Sequence, residues 1–114
     1  MSQQTKDDDV IEIQSIEQKI EYIQTKKSVV IYHYSNSCDV CKQYSSTFTI
    51  LSKKYVDKEI TFLKQEIGKC FVNTADIDNV PCFHFYRSGQ FQEKMTLIGI
   101  EDFEIETNLN SLRI

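Results

Sequence analysis

One stretch constrains this chain more than any other: the β-branched and aromatic run Val29-Val30-Ile31-Tyr32-His33-Tyr34, followed closely by Ser37-Cys38-Asp39-Val40-Cys41-Lys42. The run lacks polar alternation and reads as a strand buried on both faces. Beyond it, Cys41, Tyr44, Phe48, Leu51 and Tyr55 recur at three- and four-residue steps, so they share one face of an amphipathic helix. The two cysteines therefore straddle a strand-to-helix junction, and their environments differ. Cys38 falls at the helix mouth, where unpaired backbone N–H groups and the positive dipole end favour an anion such as a thiolate. Cys41 belongs to the inward face. One exposed, activated sulfur beside one shielded sulfur is what dithiol–disulfide exchange requires.

The flanking sequence builds a layered domain around this junction. Residues 1–8 are polar and expected to be disordered. Val10-Ile11-Glu12-Ile13 can form an edge strand, after which Ser15 offers an N-cap with Gln18 at the capping-box position. Ile16, Ile20 and Ile23 then line a first helix. Past the Cys-x-x-Cys helix, Ile60 to Lys64 reads as a strand, Gly68 breaks the chain, and a short helix is expected around Phe71 to Ala75. Cys82 to Tyr86 is a further strand, turned by Arg87-Ser88-Gly89-Gln90 into a partner over about Phe91 to Ile98. Ile105, Leu109 and Leu112 mark a last helix with acidic residues in its first turn. The order β-α-β-α-β-α-β-β-α predicts one α/β domain over residues 9–114. Its central mixed sheet of about five strands would be covered by helices on both faces.

Composition narrows the function classes. With 114 residues, a net charge of −4 and no cluster of Lys or Arg, a nucleic-acid-binding surface is not expected. No apolar run approaches a membrane span. The acidic start, Asp7-Asp8-Asp9, stands where an export signal would be basic and then apolar. A protein kept in the reducing cytoplasm is expected, and there a close Cys-x-x-Cys is redox-active or metal-binding rather than a structural staple.

From about Val10 to its C-terminus the chain resembles the thioredoxin family. The resemblance rests on Cys38 and Cys41 at the junction, on Ile77-Asp78-Asn79-Val80-Pro81 with the only proline of the chain, on the strand after it, and on Gly89 and Gly99. It implies a thioredoxin fold and a redox-active Cys38–Cys41 disulfide. It also implies a cis Val80–Pro81 bond, with Val80 and Pro81 aligning a substrate strand beside the cysteines. No bound cofactor is implied. The partners implied are protein disulfide substrates and an electron donor like thioredoxin reductase, served by a monomer.

The departures from the family pattern fall close to the sulfurs. The family commonly has tryptophan before the first cysteine and glycine–proline between the two, where this chain has Ser37 and Asp39-Val40. Asp39 puts a negative charge beside Cys38 and opposes thiolate formation. Tyr32 stands in place of a buried aspartate; it can donate a hydrogen bond to a sulfur, but at neutral pH it is a poor base. Lys64, which matches that aspartate's lysine partner, is expected to favour the Cys41 thiolate instead. Cys82 replaces a threonine after the proline and is expected near the active disulfide, either as a third thiol or as a small hydrophobe of the strand. Cys70 is expected to be an idle surface thiol.

The leading expectation is a thiol–disulfide oxidoreductase that reduces protein disulfides through Cys38 and Cys41. An alternative is a thioredoxin-like protein-binding module with weak or vestigial redox activity. A third is a thiolate metal site made from Cys38, Cys41 and Cys82. No metal site is expected from His33 and His84, which read as satisfied core histidines, since no second Cys-x-x-Cys or closely spaced histidine pair completes a zinc site.

Overall fold

The computed structural model describes residues 10–35, 39–55, 59–67, 81–98 and 102–112. Its strands are β1 (Val10–Glu12), β2 (Ser28–Tyr34), β3 (Ile60–Glu66), β4 (Cys82–Arg87), β5 (Gln90–Phe91) and β6 (Leu97–Ile98). Its helices are α1 (Ile16–Thr25), α2 (Asp39–Lys54) and α3 (Asp102–Leu112). The helix expected near Phe71–Ala75 falls outside the described residues. The sheet runs β1-β3-β2-β4-β5, and β6 also pairs with β4. β1, β3 and β2 are parallel and β4 is antiparallel to β2, giving the mixed sheet the sequence predicts.

β2 is central, and six of its seven residues are buried, as its unbroken apolar run requires. On one face of the sheet, Val30, Tyr32, Phe62, Phe83 and Phe85 pack with Cys41, Phe48 and Leu51 of α2 and with Ile105, Leu109 and Leu112 of α3. Phe48 is the hub of this face. Its ring lies 5.2 Å from Phe62, 5.3 Å from Tyr32 and 5.7 Å from Phe83, centroid to centroid. Burying a side chain of that size contributes roughly 1.5–3 kcal/mol. On the other face, Ile13, Val29, Ile31 and Leu63 meet Tyr22 and Ile23 of α1.

The start of α1 is capped locally and the end of α3 by the sheet. Ser15 Oγ caps α1 by accepting from the Gln18 N–H at 3.1 Å. The Gln18 side chain reaches back to the Gln14 N–H rather than to that of Ser15, one residue beyond a standard capping box. The α1 stripe is also rotated from expectation. Ile20 is 47% exposed, and the larger ring of Tyr22 joins Ile23 in the core instead. α3 has no basic residue in its last turn. Its terminal carbonyls accept from Arg87 Nη2 at Ser111 (2.7 Å) and from Ser28 Oγ at Leu112 (3.3 Å).

The β4 hairpin turns on Ser88 (φ 52°) and Gly89 (φ 82°) between the paired residues Arg87 and Gln90. Two successive left-handed residues are the hairpin turn that matches strand twist. The return strand, expected to be continuous over about Phe91–Ile98, is broken. Phe91 faces Tyr86, whereas Leu97 faces Phe83. Three steps along β4 thus meet six on its partner, and the surplus is coiled into a 3-10 turn at Glu93–Met95. No helix among the described residues is long and apolar enough to cross a membrane.

Candidate redox site at the start of the second helix

α2 begins at Asp39, so Cys38 is the residue immediately before it. Cys41 lies in the first turn and is 1% exposed, packed inward with the core of that face. This is the shielded position the helical stripe predicts. Tyr44 packs against the same cluster, and Phe48 and Leu51 are buried in it. Cys38, Val80 and Cys70, the expected cis linkage to Pro81 and the side chain of Asp39 lie outside the described residues. Pro81 is buried directly before β4.

Tyr32 is fully buried. Its ring stacks on Phe83 at 5.0 Å and on Tyr34 at 5.4 Å. Its hydroxyl donates to the backbone carbonyl of Cys41 at 2.5 Å and lies 3.0 Å from Ser45 Oγ. Ser45 Oγ itself donates to the same carbonyl at 3.0 Å. The phenol thus ties β2 to the cysteine-bearing turn through the main chain.

Lys64 shares a row across the sheet with Tyr32 and Glu12, its paired residues on β2 and β1. Its ammonium is 3.8 Å from Glu12 Oε1. The Tyr34 hydroxyl donates to the same carboxylate, at 2.8 and 3.1 Å from its two oxygens. Burial first, and then the Glu12 hydrogen bond and charge, hold the Tyr34 phenol protonated well above the usual range. The carboxylate facing Lys64 is therefore Glu12, which offsets its charge beside the site.

Cys82 departs furthest from expectation. Successive strand residues point to opposite faces, and Phe83 faces α2 against Tyr32, Tyr44 and Phe48. Cys82 therefore faces away, and the structure does not bring it to Cys41. Of the metal site expected from Cys38, Cys41 and Cys82, the two described members thus lie on opposite faces of the sheet, and Cys38 lies outside the described residues.

On that far face Cys82 meets His33 and His84 instead. One ligand atom from each of the three lies within 4.8 Å of the others, and all three residues are buried. The imidazoles meet edge to face at 4.6 Å. His33 Nδ1 is 3.1 Å from the Cys82 carbonyl, while His33 Nε2 is buried with no partner. Burial, then the neighbouring His84 and Lys19, push the His33 pKa down to about 3. The histidines are buried as expected, yet His33 is not fully satisfied, and an orphaned buried polar atom costs about 1–3 kcal/mol. The sequence signal for this grouping is the Cys82-x-His84 alternation on one strand face. The third member, His33, comes from the neighbouring strand through the His33–Cys82 register.

The thioredoxin family model matches residues 10–110. A rice (Oryza sativa subsp. japonica) protein, thioredoxin-like 3-3, is 33% identical over 89 residues, covering 77% of this chain and 67% of the rice protein. Its Arabidopsis thaliana namesake is 32% identical over 74 residues, covering 64% of this chain and 57% of that protein. The match thus spans about two thirds of the rice relative and less of the Arabidopsis one. The structure of Malassezia sympodialis thioredoxin (Mala s 13) superposes with a TM-score of 0.81 at 21% identity, covering 92% of this chain and 91% of that one. That likeness establishes a thioredoxin fold. With the family model spanning nearly the whole described sheet and its helices, the chain belongs to the thioredoxin family, whose function is redox in kind and whose members generally act on protein disulfides.

Proposed function

We propose that this chain is a thiol–disulfide oxidoreductase that reduces disulfides in other proteins through Cys38 and Cys41, in a reducing compartment such as the cytoplasm. The observation that carries this reading is the burial of Cys41 inside the first turn of α2, with Cys38 as the residue before that helix. A helix start favours a thiolate, whereas a buried thiol stays protected until its partner sulfur is engaged.

In the first step the Cys38 thiolate attacks one sulfur of a substrate disulfide. The substrate S–S bond breaks, a mixed disulfide forms, and the departing substrate thiolate takes up a proton. Cys41 then loses its proton and attacks the Cys38 sulfur. The mixed disulfide breaks, the second substrate thiol leaves, and a Cys38–Cys41 disulfide remains. Two electrons have passed from the dithiol to the substrate. A second dithiol, such as that of a thioredoxin reductase-like donor, must return them. Val80 and Pro81 are assigned to the alignment of the substrate strand by resemblance to the family.

Tyr32 favours a second reading, a binding module with slow chemistry. Its hydroxyl donates to the Cys41 carbonyl, and a phenol is a poor proton acceptor at neutral pH. Reduction of insulin disulfides by dithiothreitol separates the two. An oxidoreductase accelerates precipitation of the insulin B chain, and Cys38→Ser abolishes the acceleration. A binding module leaves the rate at that of dithiothreitol alone.

A further inference from the structure

The grouping of His33, Cys82 and His84 lies on the sheet face away from Cys41, and the exchange chemistry makes no use of it. We propose that it is a binding site for a thiophilic closed-shell cation, Cu+ in preference to Zn2+, held by the Cys82 sulfur and one ring nitrogen from each histidine. Two imidazoles and one thiolate form a donor set that suits both ions. The three ligand atoms lie within 4.8 Å of one another. Metal–nitrogen and metal–sulfur bonds of about 2.0–2.3 Å require them to close to roughly 3.5–4 Å. The residues start in register, because His33 and Cys82 are directly paired across β2 and β4 and His84 is the next residue on the same face.

The tautomer of His33 is already set for ligation. A carbonyl can only accept, so the 3.1 Å contact to Cys82 O places the ring proton on Nδ1. Nε2 is left with a bare lone pair, buried and without a partner. A ring N–H held by a backbone carbonyl while the opposite nitrogen faces the cation is the common outer-shell arrangement of metal-bound histidine. Beside it, Gln65 pairs with His33 across β3, and both amide heavy atoms of its side chain are buried without a partner. The pocket therefore holds more polar capacity than the described protein atoms use.

Charge decides between the two cations. Binding as a thiolate displaces one proton from the Cys82 thiol, and His33 ligates through a nitrogen that carries none. Cu+ with one thiolate is neutral overall, whereas Zn2+ leaves one positive charge in a dry interior. The grouping contains no carboxylate, and Lys19 already acts on His33 as a positive neighbour. An uncompensated buried charge is disfavoured.

The test uses the full chain with Cys38→Ser and Cys41→Ser, which removes the competing dithiol. Anaerobic titrations with Cu+ and with Zn2+ are run separately against chromophoric chelators. One equivalent of Cu+ is expected, held more tightly than Zn2+. Cys82→Ala and His84→Phe should each weaken it by at least about tenfold, the scale of loss seen even for outer-shell partners. Retention of affinity in folded His84→Phe overturns the proposal, as does failure to bind either ion. Tighter binding of Zn2+ than of Cu+ overturns the charge argument. X-ray absorption of the Cu+-loaded Cys38→Ser/Cys41→Ser chain, in which all three ligands are intact, does not depend on a core variant folding. One sulfur and two nitrogens are expected, and a sulfur-only shell contradicts the site.

Discussion

The Tyr32 hydroxyl donates a 2.5 Å hydrogen bond to the backbone carbonyl of Cys41, so the central strand is fastened to the helical turn that carries the second cysteine of the pair. The bond is a neutral tether. It holds the position of Cys41 but supplies no base.

Tyr32→Phe tests that distinction. The ring keeps its stacking on Phe83, and Ser45 Oγ still serves the Cys41 carbonyl. The loss should therefore be that of one buried hydrogen bond, about 1 kcal/mol in urea unfolding. The pH profile of insulin reduction should keep its shape. A shift of the profile by a pH unit would show that the phenol takes part in proton transfer.

Lys64→Met should change the rate of disulfide exchange by less than about twofold, because the ammonium faces Glu12 across a part-exposed 3.8 Å gap and such pairs are weak. Stopped-flow measurement of exchange with a small disulfide checks this. A large slowing would assign Lys64 the role of stabilising the Cys41 thiolate.

His33 makes stability depend on pH in a definite direction. Its folded pKa of about 3 lies below the ordinary value of 6.5, so the unfolded chain binds a proton between these limits while the folded chain does not. Stability contributed by neutral His33 is complete above pH 6.5 and is lost as pH falls toward 3, by up to about 1.4 kcal/mol per unit. Urea midpoints at pH 7, 6 and 5 with a chelator present should fall more steeply for the parent than for His33→Leu. Equal slopes would show that the imidazole is protonated in the folded protein.

Gly89→Ala should cost about 1 kcal/mol through backbone strain alone. The residue has φ +82°, while the added methyl would meet only the Ile23 carbonyl oxygen at an ordinary 3.8 Å. Thermal unfolding checks this, and an unchanged midpoint would contradict the left-handed turn.

Local patterns carried most of the architecture. The unbroken run at Val29–Tyr34 became the central strand, and the spacing of Cys41, Phe48 and Leu51 became a buried helical face. Each of these depends on a residue's near neighbours in sequence, which periodicity reports directly. Non-local pairings were not legible. That Cys82 turns toward His33 follows from the β2–β4 register and from which face Phe83 takes, and no local pattern contains either. The surplus residues coiled at Glu93–Met95 depend likewise on how two distant pairings are offset. Of the Ile16/Ile20/Ile23 stripe, Ile23 packs on the core as expected and Ile20 does not, because Tyr22 offers more surface to bury.

The most direct test of the exchange mechanism is a redox titration of the full chain, with alkylation and peptide mapping at each poise. The account predicts a single two-electron transition linking Cys38 to Cys41, near the roughly −270 mV of a reducing dithiol. If no Cys38–Cys41 disulfide forms at any poise, or if oxidation joins other cysteines instead, the account is contradicted.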